Sequence, residues 1–273
     1  MNFHSDEWIV KRLEDHLQEA QTLIPKEHIV GIFLQGSQNY GLDYEGSDID
    51  SKCIVTPTLK AIALAKSPIS TTHIRANDEH IDMKDIRLYI QTFRKQNLNF
   101  LEILFTPYYF VSPEYAKYWD MLVAKREEIT HYDPVRSVKS MRGIAAEKYY
   151  AMEHRYPSRA AVLDKYGYDP KQLSHLLRVS EYLQRCIANE PYEDCLLTKQ
   201  ADYLKKVKLG FYDLNKARDI AEKEYNKVHS ICDVFIEQHK KDPVNQEIDE
   251  FLNDISYQII EKSIKRDLVG EDI

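Results

Sequence analysis

The pattern of apolar and polar residues divides the chain into two parts. Up to about residue 133, short apolar runs that fit β-strands alternate with segments of helical spacing. Beyond that point only helical spacing occurs, in long segments over residues 135–153, 170–188, 214–238 and 246–265. The sequence therefore predicts an α+β fold, with a mixed-sheet α/β unit over residues 1–133 and an all-helical domain over residues 134–273.

Three strands are predicted in the first part, after a helix over residues 5–23 that we expect to cover the sheet. The apolar run Ile29–Leu34 predicts a buried strand, and residues 48–55 and 79–84 predict two more. Residues 57–77 are expected to hold one small helix and otherwise a polar connection. A further helix is predicted after Asp85, whose carboxylate can cap it.

Two aspartates share one face of the second predicted strand. Because side chains alternate along a strand, Asp48 and Asp50 point to one side and Ile49 to the core. Two carboxylates so close together destabilise the fold unless a cation or hydrogen-bond donors offset their charge. The pair therefore predicts a site for divalent metal. A solvated polar hairpin is the alternative, but it does not explain why apolar strands frame both the aspartates and the Gly36-Ser37 turn.

Three short motifs occur here at fixed spacing: Gly36-Ser37, Tyr40-Gly41 and Ser47-Asp48-Ile49-Asp50. Together they resemble the signature of the DNA polymerase β-type nucleotidyltransferase superfamily. They are most similar to the predicted nucleotidyltransferases of an RNA-repair-pathway polymerase-β family. The resemblance implies a polymerase-β-like fold for the first part, with Mg²⁺, or Mn²⁺ in its place, bound by the two aspartates. It also implies that Gly36, Ser37 and Tyr40 bind the nucleotide.

The superfamily has a third metal-binding carboxylate on a neighbouring strand, and Asp82 is the candidate here. Alternation along residues 79–84 places Ile81 and Met83 toward the core, so Asp82 shares the other face with His80 and Lys84. Asp78, Glu79 and Asp85 are the competing candidates, although the role of Asp85 as a helix cap explains it better. Catalysis would then rest on Asp48, Asp50 and Asp82.

Glu102 lies in an apolar segment, residues 97–107, that is similar to the segment after the third carboxylate in the same family. A buried carboxylate needs a partner. A structural ion pair with Arg87, Arg94 or Arg142 is the favoured interpretation, and a position in the metal or substrate site is the alternative.

A second block resembles the same family in the helical half, where the sequence fits Gly-Tyr-x-x-Lys-x-x-x-His-x-x-Arg. Asp169 is predicted to cap a helix that begins at Pro170. Lys171, His175 and Arg178 then form one stripe, and a cationic stripe near a helix N-terminus suits a polyphosphate. A solvated basic face is the alternative. The resemblance implies that these three residues bind the nucleotide and that the helical domain closes the nucleotide cleft.

Other cationic residues are predicted to be less important. Lys139, Arg142 and Lys148 on the preceding helix could widen the basic pocket, but such a face is more often plain solvent surface. The charge run Lys205, Lys206 and Lys208 has no interleaved aromatic residue and is expected to be solvated.

Composition narrows the range of partners. The net charge of −7 argues against extended, non-specific nucleic-acid binding, because phosphate neutralisation supplies that affinity. No apolar run approaches the roughly 20 residues that span a bilayer, and the first residues lack the apolar core of a secretory signal. The four cysteines contain no CxxC spacing, which predicts reduced thiols in a cytoplasmic protein without zinc.

The function implied by the resemblance is transfer of a nucleoside monophosphate from an NTP, with ATP expected, to an acceptor hydroxyl, with release of pyrophosphate. An RNA or tRNA end is the favoured acceptor. Two alternatives remain open: transfer of AMP to a protein side chain, and a non-catalytic nucleotide-binding regulatory module.

Overall fold

A computed structural model of the protein describes residues 3–270. Its strands form one five-stranded sheet in the order β3-β4-β2-β1-β5. Strands β2 and β4 run parallel, and all other neighbours are antiparallel. The predicted α+β class with a mixed sheet is therefore confirmed. The strands are β1 (Ile29–Gln35), β2 (Asp50–Val55), β3 (Ser70–Ile74), β4 (His80–Asp85) and β5 (Tyr109–Val111).

Helices precede, interrupt and follow the sheet, and the predicted long ones are present within a few residues of their expected ends. Those before residue 133 are α1 (Asp6–Leu23), α2 (Leu59–Ala63), α3 (Ile86–Arg94), α4 (Leu98–Leu101), α5 (Ala116–Ala124) and α6 (Arg126–Thr130). Those after it are α7 (Pro134–Ala151), α8 (Ala160–Tyr166), α9 (Pro170–Ile187), α10 (Tyr192–Leu196), α11 (Ala201–Lys208), α12 (Leu214–His239) and α13 (Gln246–Gly270). Short 3₁₀ turns occur at Lys26–His28, Ser37–Tyr40, Glu102–Leu104 and Pro157–Arg159.

Helix α1 covers one face of the sheet, as the sequence predicts. Its N-terminus is capped by Ser5, whose hydroxyl accepts a hydrogen bond from the Trp8 amide at 3.2 Å. Its apolar stripe packs into a core with the inward residues of β1, β2 and β4. Because alternate residues of β2 enter this core, the remaining ones, including Asp50 and Lys52, belong to the opposite face of the sheet.

The chain divides into two compact units. The first, called the sheet unit, contains Phe3–Asn39, Glu45–Tyr132 and the chain from Val244 onward. The second, called the helical unit, contains Tyr40–Tyr44 and Asp133–Pro243. The longer segment of the helical unit starts at Asp133, next to the predicted boundary at residue 134. The predicted domain of residues 134–273 nevertheless differs from this division, because α13 belongs to the sheet unit.

Hydrogen bonds show why α13 belongs to the sheet unit. Arg94 of α3 donates to the Asp249 carboxylate at 2.6 Å, and the Ser263 and Thr56 hydroxyls lie 2.8 Å apart. Ile255 and Ile259 of α13 are buried, and each is at most 1% exposed. The ends of both predicted domains, residues 1–2 and 271–273, lie outside the described residues.

Two strands were not predicted from the sequence. Strand β3 falls in the stretch expected to be a polar connection, and β5 lies between residues 97–107 and the helical half, where the sequence pattern predicted no element. Strand β2 also begins two residues later than expected, so Asp48 precedes the strand rather than opening it. In the part of the chain that the structure describes, no helix has both the length and the apolar character to cross a membrane.

Candidate functional site

The Gly36-Ser37 turn and the two aspartates meet at one end of the sheet. Gln35, the last residue of β1, pairs with Asp50, the first residue of β2. Gly36 adopts a φ of +119°, which favours glycine, and a 3₁₀ turn begins at Ser37. The side-chain amide of Gln38 then donates a hydrogen bond from its Nε2 atom to the Asp48 backbone carbonyl at 2.8 Å. The turn and the Asp48–Asp50 segment therefore lie next to each other within the sheet unit.

His80 is the nearest neighbour of Asp50 on β4. The Asp50 Oδ1 atom accepts a hydrogen bond from the His80 amide at 3.0 Å, and it lies 3.1 Å from the His80 Nδ1 atom. Both side chains are more than a third exposed, so they are open to a ligand. The sequence predicts that His80 lies on this face, but no motif indicates a role for it.

Glu79 supports the aspartates from the core side. Its Oε1 atom accepts a hydrogen bond from the Ile49 amide at 3.2 Å, between the two aspartates. Its Oε2 atom accepts from the side chains of Arg12, His16 and Arg75 at 2.5–3.0 Å. Burial alone would raise the pKa of Glu79, but the hydrogen bonds from His16 and Arg12 outweigh it and hold the pKa well below its usual range.

From the sequence, Glu79 is only an alternative to Asp82 as the third metal ligand. The structure instead gives it a positioning contact to the Asp48–Asp50 segment. No spacing rule could reveal this role, because its partners come from α1, from the segment before β2 and from the β3–β4 turn.

Asp82 has a cationic partner inside the sheet unit. Its Oδ2 atom accepts a hydrogen bond from the Lys52 Nζ atom at 2.6 Å. The Lys52 ammonium also lies 4.2 Å from the centre of the Phe100 ring. Burial lowers the pKa of Lys52, and the Asp82 carboxylate counteracts that fall. As predicted, Asp82 lies on the face of β4 opposite the buried Ile81 and Met83.

The carboxylates fit a divalent cation in part. Asp48 is exposed and Asp50 partly exposed, and carboxylate oxygens are the ligands that Mg²⁺ prefers. Asp82 is different because Lys52 already neutralises it. Across residues 3–270, no three His, Cys, Asp or Glu side chains are grouped so that they could hold a metal ion. The donor set thus fits a cation on Asp48 and Asp50, whereas a three-carboxylate cage does not fit.

The second predicted block lies in the helical unit. Asp169 caps α9, as expected, by accepting a hydrogen bond from the Lys171 amide at 2.9 Å. The Arg178 guanidinium stacks on the Tyr40 ring at 3.8 Å, and both side chains are 6% exposed. Tyr40 therefore contacts Arg178 directly, a contact that the sequence spacing did not reveal.

The charges of four cationic side chains of the helical unit act on His175, and we call this set the cation cluster: Lys148, Lys171, Arg178 and Lys208. Burial lowers the pKa of His175 well below its ordinary value, and the cation cluster lowers it further. A neutral imidazole there donates or accepts a hydrogen bond without adding to the positive charge.

Lys208 was expected to be solvated, and that prediction is wrong. Its Nζ atom donates to the Leu42 carbonyl at 3.3 Å and lies 4.6 Å from the centre of the Tyr44 ring. Lys208 therefore brings α11 against the Tyr40–Tyr44 segment, and it adds a charge to the cation cluster that sequence analysis did not count.

Glu102 is buried, at 1% exposure, in the 3₁₀ turn after α4. The arginines suggested as its partners bond to other carboxylates: Arg87 to Asp85, Arg94 to Asp249, and Arg142 to Asp233. Both interpretations of Glu102, a structural ion pair and a position in the metal or substrate site, therefore stay predictions.

A comparison of the chain with the known protein families and with curated proteins finds no match. The superfamily resemblance therefore depends on the motif residues alone. Their positions in the sheet unit and in the helical unit are the basis for the proposal that follows.

Proposed function

We propose that the protein is a metal-dependent nucleotidyltransferase that moves a nucleoside monophosphate from an NTP, with ATP preferred, to an acceptor hydroxyl. Pyrophosphate is the leaving group. An RNA or tRNA end is the favoured acceptor. In this proposal the sheet unit is the polymerase-β-like catalytic unit.

The observation that carries the proposal is the pairing of Gln35 with Asp50 at one end of the sheet. This register brings a glycine turn, which can bind phosphate through its backbone amides, next to two carboxylates that can bind a cation. Phosphoryl transfer needs both, because its catalysis is mostly positioning and charge neutralisation.

Each residue of the site has a defined task in this proposal. Asp48 and Asp50 would hold Mg²⁺, which supplies neutralisation of the triphosphate charge when bound. The amides at Gly36 and Ser37 would bind phosphate oxygens. Glu79 holds the Ile49 amide, so the two aspartates keep one spacing. From the helical unit, Lys171, His175 and Arg178 would bind phosphates, as the resemblance implies.

The experiment uses α-³²P-labelled NTPs with Mg²⁺, total RNA and total protein. We expect label from ATP to enter RNA with the wild-type chain and to be lost with Asp50→Asn, while the circular dichroism spectrum is unchanged. Asp254→Asn, an exposed change of the same kind on α13, is the matched control and should keep full activity.

Where the label appears decides between the candidate functions. Label in RNA supports the proposal. Label in protein that depends on Asp50 would replace the RNA acceptor by a protein side chain. Full activity of Asp50→Asn, or nucleotide binding with no transfer to either acceptor, would refute the catalytic assignment.

A further inference from the structure

Lys52 and Asp82 form an ion pair on the face of the sheet that also carries Asp50. Lys52 and Asp82 are direct cross-strand partners in the parallel β2–β4 pair, so their side chains are nearest neighbours. The Lys52 side chain is 8% exposed and the Asp82 side chain 18%. Their 2.6 Å contact is therefore mostly shielded from solvent.

The aromatic ring of Phe100 also contacts the Lys52 ammonium. The Phe100 ring centre lies 4.2 Å from the Lys52 ammonium and 4.8 Å from the Lys84 ammonium. Lys52 would have to leave both the Asp82 carboxylate and this ring before a metal ion could take its place. A buried ammonium that loses its partner is strongly unfavourable.

The positive charge of Lys52 also acts on Asp50, because its ammonium interacts electrostatically with Asp50 as well as with Asp82. The charge of Lys52 thus interacts with one carboxylate on β2 and with one on β4. A second divalent cation beside Asp82 would be repelled by this ammonium, at a distance where screening is weak.

We propose that Lys52 is the resident cation of Asp82, so that the site binds a single divalent ion through Asp48 and Asp50. Asp82 is then a positioning residue for Lys52 and not a metal ligand. This inference rests on the proposed function, because it concerns the same site. It replaces the three-carboxylate set that the resemblance implies.

The test measures Mn²⁺ binding to the full chain by electron paramagnetic resonance and calorimetry, without turnover. For Asp82→Asn we expect a single Mn²⁺ with a Kd within about twofold of the wild-type value. For Asp50→Asn we expect affinity to fall by at least about tenfold. Asp254→Asn is again the control for the loss of one exposed carboxylate.

Asp82→Asn leaves Lys52 without its counter-charge and could unfold the chain. The double variant Lys52→Met with Asp82→Asn removes both charges together, and replacing a buried ion pair by neutral groups is commonly tolerated. We expect this double variant to fold, as judged by circular dichroism, and to bind a single Mn²⁺ with affinity close to that of the wild type.

The outcomes separate the two proposals. A second Mn²⁺ in the wild type, or a loss of about tenfold or more in Mn²⁺ affinity in both Asp82 variants, would overturn the role of Lys52 and leave the nucleotidyltransferase proposal in place. Mn²⁺ binding that ignores Asp50→Asn would instead overturn the assignment of the ion to the aspartates, and the proposed function with it.

Discussion

Glu79 makes several hydrogen bonds in the site, although no motif indicates it. Three cationic or titratable side chains converge on one of its oxygens, and the other oxygen binds the backbone between the aspartates. Because the carboxylate is buried and fully engaged, its removal leaves several donors unpaired. We expect it to stabilise the fold and to position the site.

Replacing Glu79 by Gln should destabilise the chain by roughly 3–5 kcal/mol, because the substitution breaks a buried charge network. The new amide N–H would face Arg12 and His16, which are themselves donors. Urea unfolding at neutral pH measures the change. Glu14→Gln, an exposed substitution on α1, is the control and should change stability by about 0.5 kcal/mol or less.

The difference in stability between the wild type and Glu79→Gln should depend on pH. The folded pKa of Glu79 lies below its unfolded value, so its stabilisation is fully present above the unfolded pKa of about 4.3 and is lost as pH falls toward the folded pKa. The wild type should therefore begin to lose its advantage over Glu79→Gln between about pH 5 and pH 3, and the remainder should be lost at the still lower pH of the folded pKa. An advantage that stays constant over this range would contradict the role of the carboxylate.

Local chemistry at single residues could be predicted where the partner is near in sequence. Asp85 and Asp169 cap helices as expected, because a cap bonds an amide two residues ahead. The partners of Asp82 and Lys208 lie 30 or more positions away, and so does Ile49, whose amide Glu79 binds. Those contacts depend on strand register and helix packing, which one sequence does not specify.

Among the elements, the strands that escaped prediction are those with weak patterns. Strand β3 is an exposed edge strand of polar residues and shows no buried face. Strand β5 is three residues long and pairs only with β1. The long helices and β1 were predicted well, because each has an apolar stripe or run that is long enough to show its period.

The pairing of β5 with β1 depends on a close approach at Gly31. A Cβ atom there would lie 2.9 Å from the Phe110 carbonyl oxygen and 2.9 Å from the Phe33 ring. We therefore expect Gly31→Ala to destabilise the chain by about 1–3 kcal/mol, because the strand must shift to make room. Thermal unfolding measures the loss.

Gly143 in α7 provides the matched control. A Cβ atom at this exposed position meets no atom within 4 Å. Gly143→Ala should therefore stabilise the chain by roughly 0.5–1 kcal/mol, through helix propensity alone. If both substitutions changed stability in the same direction, the steric explanation for Gly31 would fail.

For the whole molecule, the charge distribution shows more than the net charge does. The chain carries −7 overall, yet the cation cluster gathers in the helical unit around a histidine whose pKa is lowered. Composition predicts that the protein is not a general nucleic-acid coat. It could not locate this cluster, because Lys148 and Lys208 come from helices on either side of α9 in the sequence.

We expect the cation cluster to bind phosphates. Lys208→Ala and Lys171→Ala should each weaken ATP and inorganic tripolyphosphate binding by about tenfold, the effect of losing one charge-assisted hydrogen bond. Mn²⁺ affinity should not change. Calorimetry of Lys206→Ala controls for the change in net charge, because Lys206 is an exposed lysine of α11, the helix that contains Lys208. Equal ATP affinity in all variants would remove the cluster from the nucleotide site.

The return of α13 to the sheet unit has a consequence for how the polypeptide is made. The helical unit ends at Pro243, so it emerges from the ribosome ahead of Ser263, the hydroxyl partner that Thr56 meets 207 positions later. The helical unit can therefore complete its folding while the nascent sheet unit still waits for its final helix, with the apolar surface under that helix uncovered. Chaperone capture and premature aggregation would concentrate on that interval of translation.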